Sequence, residues 1–176
     1  AANLDATTAF SLAQLEARVT LDGEELPRWA RYPAGVAWAL GQRGLPVCGM
    51  DGVILGSVLM RAGLSSSAAV EIAYARAWQA LGGWELGLDE LARVGQSAER
   101  QYMGLGTGIQ DQVTCVHARA HNALMLDCRT LERRFSAFSN GVRVVVCDTN
   151  TRRELVGSSY NERAQDAHAA AAVIRA

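Results

Sequence analysis

Ala62-Gly63-Leu64-Ser65-Ser66-Ser67-Ala68-Ala69 is the stretch on which the fold turns. An apolar run, Val53-Ile54-Leu55, lies before it and a helical pattern follows. Gly63 lets the backbone turn sharply and come close to a ligand. Three small hydroxyl residues then stand where a helix would begin. The first amides of a helix have no intrahelical acceptor and carry the positive end of its dipole, which makes such a turn an anion site. Phosphate is the usual biological anion there. Serine is equally a favoured helix cap that needs no ligand. The loop alone leaves both possibilities open.

Upstream of the loop, residues 51–58 are β-branched and apolar between glycines, which predicts a buried strand. Downstream, Ala68, Ala69, Ile72, Ala73 and Trp78 fit a helix that stops at Gly82-Gly83. Its alanines suit close packing on a sheet. Toward the start of the chain, residues 8–20 hold a weak strand-like stretch with Leu12, Leu15 and Val19 at mixed spacing. The Asp22-Gly23 pair marks a turn. From Pro27 to about Leu40, Trp29, Tyr32, Val36 and Leu40 recur at three- and four-residue steps, one face of a helix. Pro33 lies near its first turns, Gly41 or Gly44 ends it, and Trp29 and Tyr32 read as core anchors.

A second helix is predicted over 89–102, with Asp89 as cap and Leu91, Gly95, Ala98 and Tyr102 on its buried stripe. Glu99 falls at the border of that stripe, where a glutamate is ordinarily solvated. Gly104-Leu105-Gly106-Thr107-Gly108 follows as a loop, and Asp111 opens a helix reaching about Ala118. There Asp111 can cap the helix, and the dipole favours its negative charge. Ala123–Asp127 and Val142–Asp148 are further strand candidates, with Phe135 and Phe138 in a turn region between them. Tyr160–Ala176 is alanine-rich and helical. Helices and strands alternate without internal repeat, so the class is α/β or α+β.

Bulk composition narrows the function. With 176 residues, 49% hydrophobic, 20% charged and a net charge of -1, the chain is an ordinary globule. Nothing in that balance calls for nucleic acid or an anionic membrane as partner. No apolar run approaches the roughly 18 residues of a spanning helix. The start lacks the basic and apolar regions of a signal peptide and has no methionine, as an internal piece of a longer chain would. Cys48, Cys115, Cys128 and Cys147 are scattered, which predicts reduced, mostly buried thiols in a cytoplasmic protein. All 17 basic residues are arginine. Without lysine, neither a P-loop nor a protein-kinase site can be built from this stretch, and Schiff-base chemistry is closed to it. A phosphate site here must use backbone amides, hydroxyls and a metal.

Five blocks in order carry a resemblance. Gly63-Leu64-Ser65-Ser66-Ser67-Ala68-Ala69, Ala98-Glu99, Gly108-Ile109-Gln110-Asp111-Gln112, Ala123 to Glu132 and Ser158-Ser159-Tyr160-Asn161-Glu162-Arg163 together resemble galactokinase, of the GHMP kinase superfamily. The resemblance runs from about Trp29 to the end. It implies an α+β fold with the GHMP N-terminal lobe (ribosomal protein S5 domain 2-like βαβ) over 1–140, truncated at its start. Residues 141–176 would then be the opening strand and helix of the second lobe. It also implies ATP-dependent phosphorylation of the C1 hydroxyl of galactose, with Mg2+ as cofactor, in a mostly monomeric family. The loop Arg61, Ala62, Gly63, Leu64, Ser65, Ser66 and Ser67 would wrap the nucleotide phosphates. Ser67 and Glu99 match the metal ligands, and a hydroxyl plus one carboxylate suits a hard cation that keeps water and phosphate oxygens. Asp111 matches the catalytic aspartate, and Gly108, Asp111 and Tyr160 match sugar contacts.

The sequence departs from the family at several points. The usual P-x-G-x-G-L-S-S-S is here Leu59-Met60-Arg61-Ala62-Gly63, so arginine stands where the first glycine is expected. Gln110 replaces a methionine, and a G-x-x-x-H after the catalytic helix is Ala118 to Asn122. The R-x-N-[LI]-I-G-E-H-x-D block, with its catalytic arginine, is not in the chain, so the 176 residues alone are expected to be inactive. A non-catalytic sugar or nucleotide sensor, or a kinase for a related hexose such as N-acetylgalactosamine, are the competing expectations.

Overall fold

Alanine and glycine at helical spacing let three helices approach one another closely, and this decides the architecture. A computed structural model describes residues 1–60, 62–147 and 159–175, without the side chains of Ser159, Tyr160 and Arg175. The helices are α1 (Arg28–Gly41), α2 (Ser66–Gly82), α3 (Leu88–Ser97), α4 (Gln110–His117) and α5 (Ser159–Arg175). Strands β1 (Asn122–Leu126) and β2 (Arg133–Ala137) form an antiparallel pair, with Leu124 opposite Phe135. Helices and a separate antiparallel hairpin make the class α+β.

The main core joins Val36, Ala37, Ala39 and Leu40 of α1 to Ala75 and Trp78 of α2 and to Leu91, Val94 and Ala98. Each large apolar side chain fully buried here contributes on the order of 1.5–3 kcal/mol. Trp78 is buried with its indole N–H donating to the Cys48 carbonyl at 2.9 Å. Gly35 gives α1 its close approach, since a Cβ there would lie 3.0 Å from the Tyr102 ring and 3.1 Å from the Ala98 methyl group. A smaller cluster of Leu26, Ala30, Ala34 and Tyr102 closes the other side, and the Tyr102 hydroxyl donates to the Leu15 carbonyl at 2.8 Å. Trp29 and Tyr32, expected as core anchors, are half-buried; alanines take the innermost positions of α1.

Two predicted strands are corrected. Residues 51–58 form no strand, and Val53 and Leu55 are exposed. Their backbone is held in part from the chain start, where Ala2 N–H donates to the Ile54 carbonyl and the Asn3 amide exchanges two hydrogen bonds with Gly56, each 2.9 Å. Over 142–147 there is again no strand, and Val142, Val144, Val145 and Val146 face outward. β-Branched composition favours a pleated, half-buried surface only where a neighbouring strand takes up the backbone groups. Among the described residues neither run has one. The strand that does form after β1, Arg133–Ala137, includes Phe135, which was expected in a turn. Residues 8–20 fold mainly as a 3-10 helix, Leu12–Ala17. The four cysteines are free but exposed, against the expected burial.

Other expectations hold. Helix α2 ends at Gly82, and Gly83 follows in the left-handed region. The Asp22-Gly23 turn is present, with Gly23 N–H donating to the Thr20 carbonyl at 3.0 Å. Among the described residues no helix is long and apolar enough to cross a membrane.

Candidate functional site

The serine loop feeds α2 through a strained backbone. Gly63 has φ of +74° and Ser65, the N-cap, has φ of +57°. A left-handed non-glycine residue costs roughly 1–2 kcal/mol, and such strain collects at ligand-binding turns. Ser65 makes no side-chain cap bond. Its carbonyl accepts from Ala69 at 3.1 Å, while no hydrogen bond from the amides of Ser66, Ser67 or Ala68 to another described residue is present. They stand at the positive end of a 17-residue helix, with Ser66 and Ser67 partly exposed and Ala68 completely buried. The serines do not act as a closed, self-satisfied cap. Arg61 lies outside the described residues.

One turn into α2 stands Glu71, on the same helix face as Ser67. Glu71 is completely buried, as are Gln112 of α4 and, to 3% exposure, Glu99. The Gln112 amide N–H2 donates to Glu71 Oε2 at 3.1 Å and to Glu99 Oε2 at 3.3 Å. Burial, then the neighbouring Glu99 charge, pushes the Glu71 carboxyl well above the usual carboxylate range, and the more distant Asp111 charge adds to this.

Glu99 lies where the helix changes register. The helix through α3 continues as a π-helical turn over Ala98–Tyr102, in which Met103 N–H reaches the Ala98 carbonyl at 3.0 Å. Within this turn Ala98, Glu99 and Tyr102 are all buried. The expectation of a solvated border glutamate is thereby overturned. Tyr32 of α1 completes the surroundings. Its pKa is raised by burial, lowered by the Arg28 charge and raised by the Glu99 and Glu71 charges.

Asp111 is exposed in the first turn of α4, beside buried Gln112. Ile109 is the N-cap and makes no side-chain cap bond, so Asp111 is not the cap; among the described residues its carboxylate has no hydrogen-bond partner. Asp89, the other expected cap, does different work. It takes two bonds from Arg133, at 2.7 and 3.1 Å, and pairs with His117 Nε2 at 2.6 Å, tying α3 to β2 and to the end of α4.

Gly108 precedes α4, and a Cβ there would meet nothing within 4 Å, so the chain leaves space beside it. Thr107, its neighbour, has a buried hydroxyl without a partner. The glycine loop is fastened to the start of α5 by Asn161, whose Oδ1 accepts from Gly106 N–H at 2.7 Å and whose Nδ2 donates to the Gly104 carbonyl at 3.2 Å. The backbone of Tyr160 is thus set next to that loop. Ser67, Glu99 and Asp111 come from three mutually packed helices, and the buried trio of Glu71, Glu99 and Gln112 links those helices. Glu71, Gln112, Asn161 and Tyr32 escape the sequence reading. Only Gln112 and Asn161 carry a signal, each standing next to a predicted site residue.

A divalent cation can be tested against this donor set. Two buried glutamates lie together with no ion pair to a base among the described residues. No three His, Cys, Asp or Glu side chains gather as a metal cage among them. One carboxylate and one hydroxyl suit magnesium, which takes few protein ligands and keeps water and ligand oxygens. The residues fit.

Comparison with known proteins decides the family. Residues 31–119 match the GHMP kinases N terminal domain, a span that includes the serine loop, Glu99 and Asp111. The chain belongs to the GHMP kinases. It is 41% identical over 148 residues to a galactokinase of Chloroflexus aggregans, covering 84% of this chain and 38% of that protein. To a galactokinase of Roseiflexus it is 39% identical over 170 residues, covering 97% and 42%. The fold resembles the crystal structure of Lactococcus lactis galactokinase complexed with galactose, with a TM-score of 0.66 and 29% identity over 81% of this chain and 37% of that one. This GHMP kinase chain thus spans about two-fifths of the length of its curated relatives.

Proposed function

We propose that this chain carries the nucleotide and sugar face of an ATP-dependent kinase that phosphorylates the C1 hydroxyl of galactose. What supports the reading is that the serine-rich start of α2, buried Glu99 and exposed Asp111 belong to helical segments packed on one another. The amides of the 62–67 loop would bind nucleotide phosphates, and Ser67 and Glu99 would hold magnesium. That ion, when bound, neutralises phosphate charge. Asp111 would orient the sugar O1 and accept its proton as O1 bonds to the γ-phosphorus and the bond to the departing ADP oxygen breaks. Gly108 gives close backbone approach and Tyr160 a sugar contact. In phosphoryl transfer most of the acceleration is positioning and electrostatics, which a rigid three-helix site supplies.

The galactokinase relatives extend well beyond this chain, so turnover is assigned to a chain of that length; the 176 residues alone are expected to turn over little or not at all. Galactose-dependent formation of ADP and galactose 1-phosphate, with ATP and magnesium, tests the reading in a parent chain containing these residues. N-acetylgalactosamine in parallel tests the related-hexose alternative. Arg61, in place of a loop glycine, favours a second reading, a sensor that binds sugar or nucleotide without turnover. Retained galactose binding with no product would establish that second reading.

A further inference from the structure

Glu71 and Gln112 have no role in the reaction as set out above, yet they are the most completely buried polar side chains of the site. Burying two glutamates and a glutamine together is costly unless each is held by hydrogen bonds. Here the bonds converge on one nitrogen. Gln112 Nε2 bridges Glu71 Oε2 and Glu99 Oε2, while Glu71 Oε1 and Gln112 Oε1 have no hydrogen-bond partner. The packing around them is specific. A Cβ on Gly95 of α3 would lie 2.9 Å from Gln112 Cγ and 3.1 Å from Glu71 Oε2, so the glycine leaves just the room this pair occupies.

The placement of the three residues argues for more than stability. Each of the helical segments that presents a candidate site group also gives one member of the buried unit. Glu71 lies one turn beyond Ser67, Gln112 is adjacent to Asp111, and Glu99 belongs to both sets. Apolar residues at 71 and 112 would fill the same volume at lower desolvation cost. Such an outer layer of hydrogen bonds is how proteins fix the direction of a metal-binding carboxylate.

We propose that Glu71 and Gln112 are positioning residues that aim the Glu99 carboxylate at the magnesium of the bound nucleotide, with Gln112 also setting Asp111 through α4. This rests on the reading of Glu99 and the serine loop as a magnesium–nucleotide site. It separates two parts of nucleotide binding. Loop amides hold the phosphates whether or not metal is present, whereas the buried unit acts only through the metal.

The test compares ATP affinity with excess magnesium and with EDTA, by calorimetry, in the parent chain and its variants. Gln112→Met and Glu71→Leu remove the bridging bonds, and both are expected to lower the magnesium-dependent gain in affinity about tenfold or more. Metal-free ATP should bind within about twofold of the unaltered protein in both, since the loop amides are untouched. Glu71→Gln, which keeps the shape and the acceptor for Gln112, should restore the gain to within about threefold. Gly95→Ala, which displaces the pair without deleting a bond, is the fallback if the first two variants fail to melt cooperatively, and should also reduce the gain. Equal magnesium dependence in all cooperatively folded variants overturns the proposal while leaving the site reading intact. Parallel loss with and without metal, or failure of Glu71→Gln to restore the gain, also overturns it. If the unaltered parent binds ATP under neither condition, the site reading itself falls and takes the proposal with it.

Discussion

Asp111 is the residue on which turnover should depend most sharply. Its carboxylate is exposed at a helix start and makes no cap bond, so replacing it by asparagine removes a charge and a proton acceptor without removing any packing. Asp111→Asn is expected to lower the rate of galactose 1-phosphate formation by about 10²–10⁴-fold and to leave the thermal melt unchanged. A variant with normal rates would take Asp111 out of the mechanism. Asn161 makes a different prediction at the same scale. Its two bonds to Gly104 and Gly106 hold the glycine loop to α5, and loss of two such bonds amounts to about 1–3 kcal/mol. Asn161→Ala should therefore raise the KM for galactose about tenfold with the KM for ATP nearly constant; a matching rise in both would place Asn161 outside the sugar side of the site.

Among the elements, the joint between α3, α4 and the hairpin is electrostatic. The Arg133 hydrogen bonds, followed by the His117 contact, hold the Asp89 carboxyl below its ordinary value of 3.8. A depressed carboxyl contributes fully above the unfolded value and loses that contribution as pH falls through the folded one. With its side chain 40% exposed, the contribution is under about 1 kcal/mol. Asp89→Asn should melt slightly lower than the unaltered chain between pH 5 and 7, and the two curves should draw together as pH falls below 3.8, as followed by circular dichroism. A gap that stays constant with pH would assign the effect to shape. The π turn is the other decisive element. It cannot be read from the 98–102 sequence, because the apolar periodicity on either side is continued by it, and Glu99 lies buried within it.

For the molecule as a whole, two apolar runs lack a sheet among the described residues. Val53, Leu55, Val144 and Val145 are each more than two-thirds exposed. Changing Leu55, Val144 and Val145 together to threonine should raise the soluble yield of the 176-residue chain while shifting stability by no more than about 0.5 kcal/mol per site, as for other exposed positions. A large drop in melting temperature would show that these side chains are packed in solution. The same two runs mark where sequence reading and structure part company. Helices α1, α2, α4 and α5 were legible because a helix satisfies its backbone within itself and its apolar period depends only on local spacing. A strand needs a partner, so β-branched composition at 51–58 and 142–147 was insufficient (Asp148, the end of the second predicted run, lies outside the described residues), while the Arg-rich β2 formed because β1 lay beside it.

Sequence by itself determined the helical framework, the lysine-free serine loop, the family and the identity of Ser67, Glu99 and Asp111 as candidate ligands, since each of these is written in local pattern and residue type. Tertiary structure alone decided that Glu99 is buried, that Glu71 and Gln112 accompany it, and that Asn161 fastens the glycine loop. Those facts depend on which faces of separate helices meet, and on how a buried carboxylate finds its hydrogen-bond partner across a distance in sequence that no spacing rule encodes.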